Sequence, residues 1–178
     1  MPNTYTLLEQ ITVGAAGAAS VTFNSIPQTG YTDLVIHASM RDDSTGSGAN
    51  GNATIVFNGD TANGTYKELF GTGSAAGSGT LTALKVDYHT ASGSGSTANT
   101  FGSAQIYIPN YRSANFKSVS TEGVAESNTA GMFMTMGASL WSSTAAITSI
   151  KINPGVGKFA RYSTFTLYGV SALGVTPT

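Results

Sequence analysis

Two histidines, His37 and His89, are the chain's whole supply of imidazole, and Asp87 stands two residues before His89 on the same side of an alternating segment. Joined by one of the many serines, that pair has the residue types of a nucleophile, base and orienter triad. No G-x-S-x-G turn is present to lift a serine above a sheet, and serines are too numerous for nearness to single one out. Both lie on the polar faces of their strands, and solvated strand histidines are the preferred reading. The run "GSGANG" at 46–51 has the G-x-G-x-x-G spacing, but dinucleotide binding needs a helix after it, and "NATIVFNG" alternates as a strand. Asp42, Asp43 and Asp60 offer oxygen ligands in neighbouring loops that could share a calcium ion, although without the spacing of a defined calcium loop. The preferred reading of Arg41, Asp42 and Asp43 is a solvated turn at a strand end. The chain has no cysteine, which excludes thiol nucleophiles, thiolate metal sites and disulfides. The expectation is a protein that is not an enzyme and carries no cofactor and no resident metal.

The elements that would position any site come from composition and periodicity. Of 178 residues, 40% are hydrophobic and only 10% charged, against about 25% charged in an ordinary soluble domain. With 22 glycines and a net charge of −1, the surface is polar yet nearly uncharged, a condition that favours association. Charges are scattered, so no basic footprint for nucleic acid is expected. No run approaches the ~20 apolar residues that cross a bilayer. The opening "MPNTYTLLEQITVG" lacks the basic and apolar regions of a secretory signal.

Apolar residues recur at every second position almost throughout. "YTLLEQITV" sets Tyr5, Leu7, Ile11 and Val13 on one face, with Glu9 the exception, and "YTDLVIHASM" sets Leu34, Ile36, Ala38 and Met40 against Asp33, Val35, His37 and Ser39. "TFGSAQIYIPNYRSANFKSVSTEG" reads as strand, bend and strand. Pro109 cannot donate to a ladder, so the first strand ends there or lies at an edge. "MFMTMGASLW" reads as a strand, although its methionines also suit a short helix, and it ends on Trp141, read as core rather than as a sugar-stacking ring. The pattern predicts ten or eleven strands in one domain spanning 1–178, an all-β antiparallel sandwich or barrel. Long Gly/Ser-rich loops are expected near 42–52, 71–80 and 91–99.

"GYTDLVIHASMRDD", "IVFNGDTANGTYKELFGTGS", "TANTFGSAQIYIPNY", "SLWSSTAAITSI" and "YSTFTLYGV", in this order over most of the chain, resemble a family of small proteins encoded by tailed bacteriophages, notably those of marine bacteria. F-G-x-A-x-I-Y-I-P-N-Y is the most specific string. The resemblance implies a virion structural protein with a jelly-roll-like β-sandwich, located on the capsid or in the tail and fibre apparatus, and it transfers no catalytic residue.

Two functions follow as expectations. One is a capsid decoration or cement protein, homo-oligomeric, that clamps the major capsid protein or other virion proteins. The other is a tail-fibre or receptor-binding head that recognises a host surface glycan through loops carrying Asn63, Tyr66, Asn110 and Tyr111. A capsule hydrolase using His89 and Asp87 is a third, weaker reading. Either way the expected location is the virion, after synthesis in the host cytoplasm. Interface contacts are expected at Pro2, Tyr5 and Leu7 of the first strand and at Arg41, Asp42, Asp43 and Arg112, since arginine is favoured at protein interfaces.

Overall fold

Period-two alternation becomes twelve strands in the computed structural model, which describes residues 4–44, 51–91, 93, 95–126 and 132–171, with the backbone alone at 51 and 85–91. They are β1 (Tyr5–Thr12), β2 (Val21–Phe23), β3 (Asp33–Met40), β4 (Gly51–Phe57), β5 (Gly64–Gly71), β6 (Ala76–Leu81), β7 (Lys85–Ala91), β8 (Gly102–Ile108), β9 (Lys117–Ala125), β10 (Phe133–Trp141), β11 (Ile150–Pro154) and β12 (Thr164–Val170). No helix occurs among the described residues. Every pairing is antiparallel, within an eight-stranded sheet β1-β12-β3-β8-β9-β10-β5-β6 and a four-stranded sheet β2-β11-β4-β7.

The order has a simple logic. β4 pairs with β7, β3 with β8, β2 with β11 and β1 with β12. These are nested partners, as in one long hairpin wound around itself, and successive rungs fall in alternate sheets. That is a jelly roll. The four remaining strands are two insertions, β5–β6 and β9–β10, which join each other and extend the larger sheet beyond β8.

The core lies between the sheets. Leu34, Ile36, Ala38, Met40, Ala104, Ile106, Ile108, Phe165 and Leu167 from the large sheet meet Val21, Phe23, Ala53, Ile55, Phe57, Ile150 and Ile152 from the small one. Edge-to-face ring pairs, Phe159 with Phe165 at 4.8 Å and Phe57 with Trp141 at 5.5 Å, fix the spacing. Trp141 is a core residue, and its indole N–H donates to Asp60 Oδ2 at 2.8 Å.

Three local features depart from the simple alternation. First, β1 changes register between Leu7 and Glu9. The extra residue of this bulge reverses the pleat, so Leu8, Ile11 and Val13 pack inward while Tyr5 and Leu7 stay outside. Glu9, the exception to the alternation, marks that reversal.

Second, the expected loop at 71–80 contains β6, "AGSGTL". Its glycines permit close approach: a Cβ on Gly77 would lie 2.5 Å from the Phe70 ring, and one on Gly79 would lie 2.6 Å from Glu68 Oε1. Glycine here makes room for β5 side chains rather than a flexible loop.

Third, Lys117 opens β9 on the buried side, only 1% exposed. Its ammonium donates to the carbonyls of Ser113 at 2.7 Å, Ala145 at 2.5 Å and Ser143 at 3.4 Å, and sits 5.4 Å from the Trp141 ring centroid. It ties together the connections that flank the inserted strands.

Candidate functional site

The parity of β10 runs against the usual amphipathic rule. Thr135, Ser139 and Trp141 are buried, while Met134, Met136, Ala138 and Leu140 face out. On β5 the buried side carries Tyr66 and Glu68, and Leu69 points outward. Gly137 enforces this arrangement, because a Cβ there would lie 2.3 Å from the Tyr66 ring and 2.4 Å from Thr121 Oγ1. The outer face therefore displays Leu69 at 66%, Met136 at 65% and Met134 at 58% exposure, with Val124 and Leu140 beside them.

Ladder register arranges this face in rows. One row runs Thr166, His37, Gln105, Glu122, Met136, Leu69 and Ser78; the next runs Tyr168, Val35, Tyr107, Ser120, Ala138, Lys67 and Thr80. Between these rows, where Ala138 and Ser120 are small, lies an open trough of about 620 Å³ bordered by Lys67, Leu69, Thr80, Gln105, Glu122 and Met136. A second trough of about 470 Å³ lies on the other side of the Met136 row, toward Met134, Val124 and Ser103. Gln105 Nε2 donates to Glu122 Oε1 at 3.0 Å and holds that carboxylate in place.

Farther along the same sheet, Tyr5 meets the edge of Tyr168 at 6.3 Å, and His37 meets the other side of that ring at 5.6 Å. Tyr107 donates its hydroxyl to Asp33 Oδ2 at 2.9 Å, a bond that raises the phenol's pKa above its ordinary value.

The residues expected at an interface fall in three places. Tyr5 and Leu7, 54% and 55% exposed, stand outward on β1, an end strand of the large sheet; Pro2 lies outside the described residues. Arg41, Asp42 and Asp43 follow β3 and are committed within the molecule. Arg41 donates to the carbonyls of Thr97 (3.0 Å), Thr100 (2.9 Å) and Ser96 (3.2 Å), clamping the loop before β8. Asp42 is buried, which pushes its pKa up, and accepts hydrogen bonds from the Ser44 N–H and hydroxyl. Asp43 accepts from the Lys158 N–H at 2.6 Å. Arg112, after β8, donates to the carbonyls of Gln28 at 2.7 Å and Tyr31 at 3.1 Å.

Of the residues expected in glycan-binding loops, Asn63 and Asn110 are exposed in loops, whereas the two tyrosines are not at the surface. Tyr66 and Tyr111 are buried, the Tyr111 hydroxyl bonding the Pro27 carbonyl, and Asn63 Nδ2 bonds Asp60 at 2.8 Å. Asn110 takes a left-handed turn at φ 49° and donates its backbone N–H to Asp33.

The residues with catalytic or metal potential are dispersed. His37 is on the large sheet, and Asp87 and His89 are on β7 of the small one, where side chains lie outside the description. Most of the "GSGANG" run is likewise outside it. Among the described residues, no three His, Asp or Glu side chains form a group that could hold a metal.

Asp60 accepts hydrogen bonds from Asn63 Nδ2, the Ala62 N–H and Trp141 Nε1, which hold its pKa down at about 2. Because the folded pKa lies below the unfolded one, this contribution is present above about pH 4 and is lost as pH falls through about 2. Asp60→Asn should lower the melting temperature at pH 7 and flatten the acid limb of a melting-temperature titration; a variant curve parallel to the wild type's would contradict this.

Comparison of the chain with protein families, curated proteins and solved structures finds no match.

Proposed function

We propose that the chain is a bacteriophage virion structural protein, a decoration or cement protein that clamps neighbouring capsid subunits. The observation that carries this reading is a jelly roll whose large sheet turns exposed apolar side chains outward at two places, Tyr5 and Leu7 on its end strand and Leu69, Met134 and Met136 on the inserted strands, with His37, Gln105 and Glu122 between them. Jelly rolls are common in viral shells, and exposed apolar patches of this kind mark attachment surfaces. The resemblance of "FGSAQIYIPNY" and its companion segments to phage virion proteins points the same way. So does the near-absence of charge, which leaves little repulsion between packed copies. On a shell, a modest contact energy is repeated at every lattice position, and a subunit bridging two neighbours gains from effective concentration.

A receptor-binding fibre head is the second reading. Burial of Tyr66 and Tyr111 removes two aromatic platforms from its loops. The trough lined by Lys67, Gln105, Glu122 and Thr80 is the observation that favours it.

Co-sedimentation separates the two readings. The purified protein is mixed with phage heads stripped of it, and separately with host cell-surface polysaccharide. Saturable binding to heads supports cement, and binding to polysaccharide alone overturns it.

A further inference from the structure

We infer that β6 pairs antiparallel with β6 of a second copy of this chain about a twofold axis, joining two large sheets edge to edge. An end strand with free backbone groups is a template for another strand, and folds guard such edges with charge, bulges or brevity. Three of the four sheet ends here are guarded. β1 carries Glu9 and a bulge, β2 has three residues, and β7 carries Lys85 and Asp87 and pairs irregularly with β4. β6, "AGSGTL", has no charge, no proline and no register shift.

The turn before β6 fixes which of its backbone groups are open. Thr72 N–H donates to the Ala75 carbonyl at 2.8 Å, so Ala75 turns its backbone toward β5. Backbone direction alternates along a strand. Gly77, Gly79 and Leu81 therefore bond β5, and the N–H and C=O of Ala76, Ser78 and Thr80 line the edge. An axis beside Ser78 sets Ser78 against the partner's Ser78 and Ala76 against the partner's Thr80. Every open group of those residues then finds a partner, which is the self-complementarity an isologous contact needs.

Reach and charge select the occupant. Ser171 lies against Thr4 (2.9 Å), at the opposite end of the sheet. Residues 172–178 extend about 25 Å at most. β12 stands six strand spacings from β6, about 29 Å, so neither these residues nor 1–3 supply the missing strand. Because β6 is uncharged, self-pairing sets no like charges opposite one another. It also sets Gly77 opposite the partner's Gly79. The Phe70 ring tip lies over the first glycine and a Glu68 carboxylate over the second, which brings a ring's positive edge toward an anion, twice by symmetry. The seam is smaller than the roughly 800 Å² per partner of a standard interface, so the dimer dissociates at about 10–100 μM.

This inference goes beyond the virion reading, because it concerns the isolated protein. Sedimentation velocity across that concentration range should show monomer converting to dimer. Ser78→Cys should form a disulfide-linked dimer under mild oxidation, since a hydrogen-bonded antiparallel pair holds its Cα atoms about 5.5 Å apart, within disulfide reach, and the chain has no other cysteine. Thr65→Cys, exposed on β5, should not. Ser78→Pro removes an N–H that β5 does not use and should weaken the dimer at least about tenfold with an unchanged circular-dichroism spectrum. Ser78→Lys, which sets like charges together at the axis, should do the same. A wild type monomeric throughout, equal crosslinking by Thr65→Cys, or a dimer indifferent to Ser78→Pro and Ser78→Lys overturns the proposal. So does a β6 edge that binds a capsid-protein strand in a chain that does not self-associate.

Discussion

Lys117→Met should lower the melting temperature by roughly 6–12 °C. The side chain is nearly fully buried, and three carbonyls, those of Ser113, Ser143 and Ala145, converge on its ammonium. Methionine fills similar volume but donates nothing. A buried acceptor left without a donor costs about 1–3 kcal/mol, partly offset because a charge no longer has to be desolvated. A net loss of about 3 kcal/mol corresponds to about 2–4 °C per kcal/mol in a chain of this size.

The pH dependence provides an internal control. Burial holds the Lys117 pKa below its ordinary value, so the folded state resists protonation more than the unfolded state does. The resulting penalty is full below the folded pKa and is relieved as pH rises toward the unfolded value of about 10.4. Wild type should therefore gain stability relative to Lys117→Met over that alkaline window. An unchanged or higher melting temperature for the variant would mean that desolvation outweighs the three hydrogen bonds.

The second large effect concerns attachment. Tyr5→Asp combined with Leu7→Asp should weaken binding to phage heads by about thirty-fold or more, the scale of losing a buried anchor residue. Both side chains point outward from β1 and contribute little to the core, so the melting temperature should move by no more than an ordinary surface substitution allows. Equal binding by the double variant would remove the N-terminal strand from the contact. Arg41 and Arg112 give the contrasting case. Their guanidinium groups are committed to loop carbonyls, so replacing either should cost stability before it costs attachment.

The strands were legible because alternation is a local signal: "DLVIHASM" folds with the expected parity, and "GSAQIYI" alternates buried and outward side chains as a strand should. Their order was not, because nesting β1 with β12 and β2 with β11 depends on contacts between distant segments. β6 was hidden because Gly77 and Gly79 read as loop residues until Phe70 and Glu68 are seen occupying the space above them.

The outer face was the hardest part to read. In "FMTMGASLW" the more apolar parity would ordinarily be assigned to the core, yet Gly137 is the position that can lie against Tyr66, and that turns the methionines outward. The charged residues stand out in a chain so poor in charge, but their internal partners are not legible: Arg41, Asp43 and Arg112 bond backbone groups remote in sequence, and Asp42 bonds the N–H and hydroxyl of Ser44.

The central claim, that this sandwich works by attachment through its large sheet, is tested most directly by an electron cryomicroscopy map of the intact particle. The account predicts twelve-stranded density at symmetric positions on the head, with Tyr5 and Leu7 against capsid subunits. Density confined to the tail tip, or a particle that lacks the protein, would contradict it.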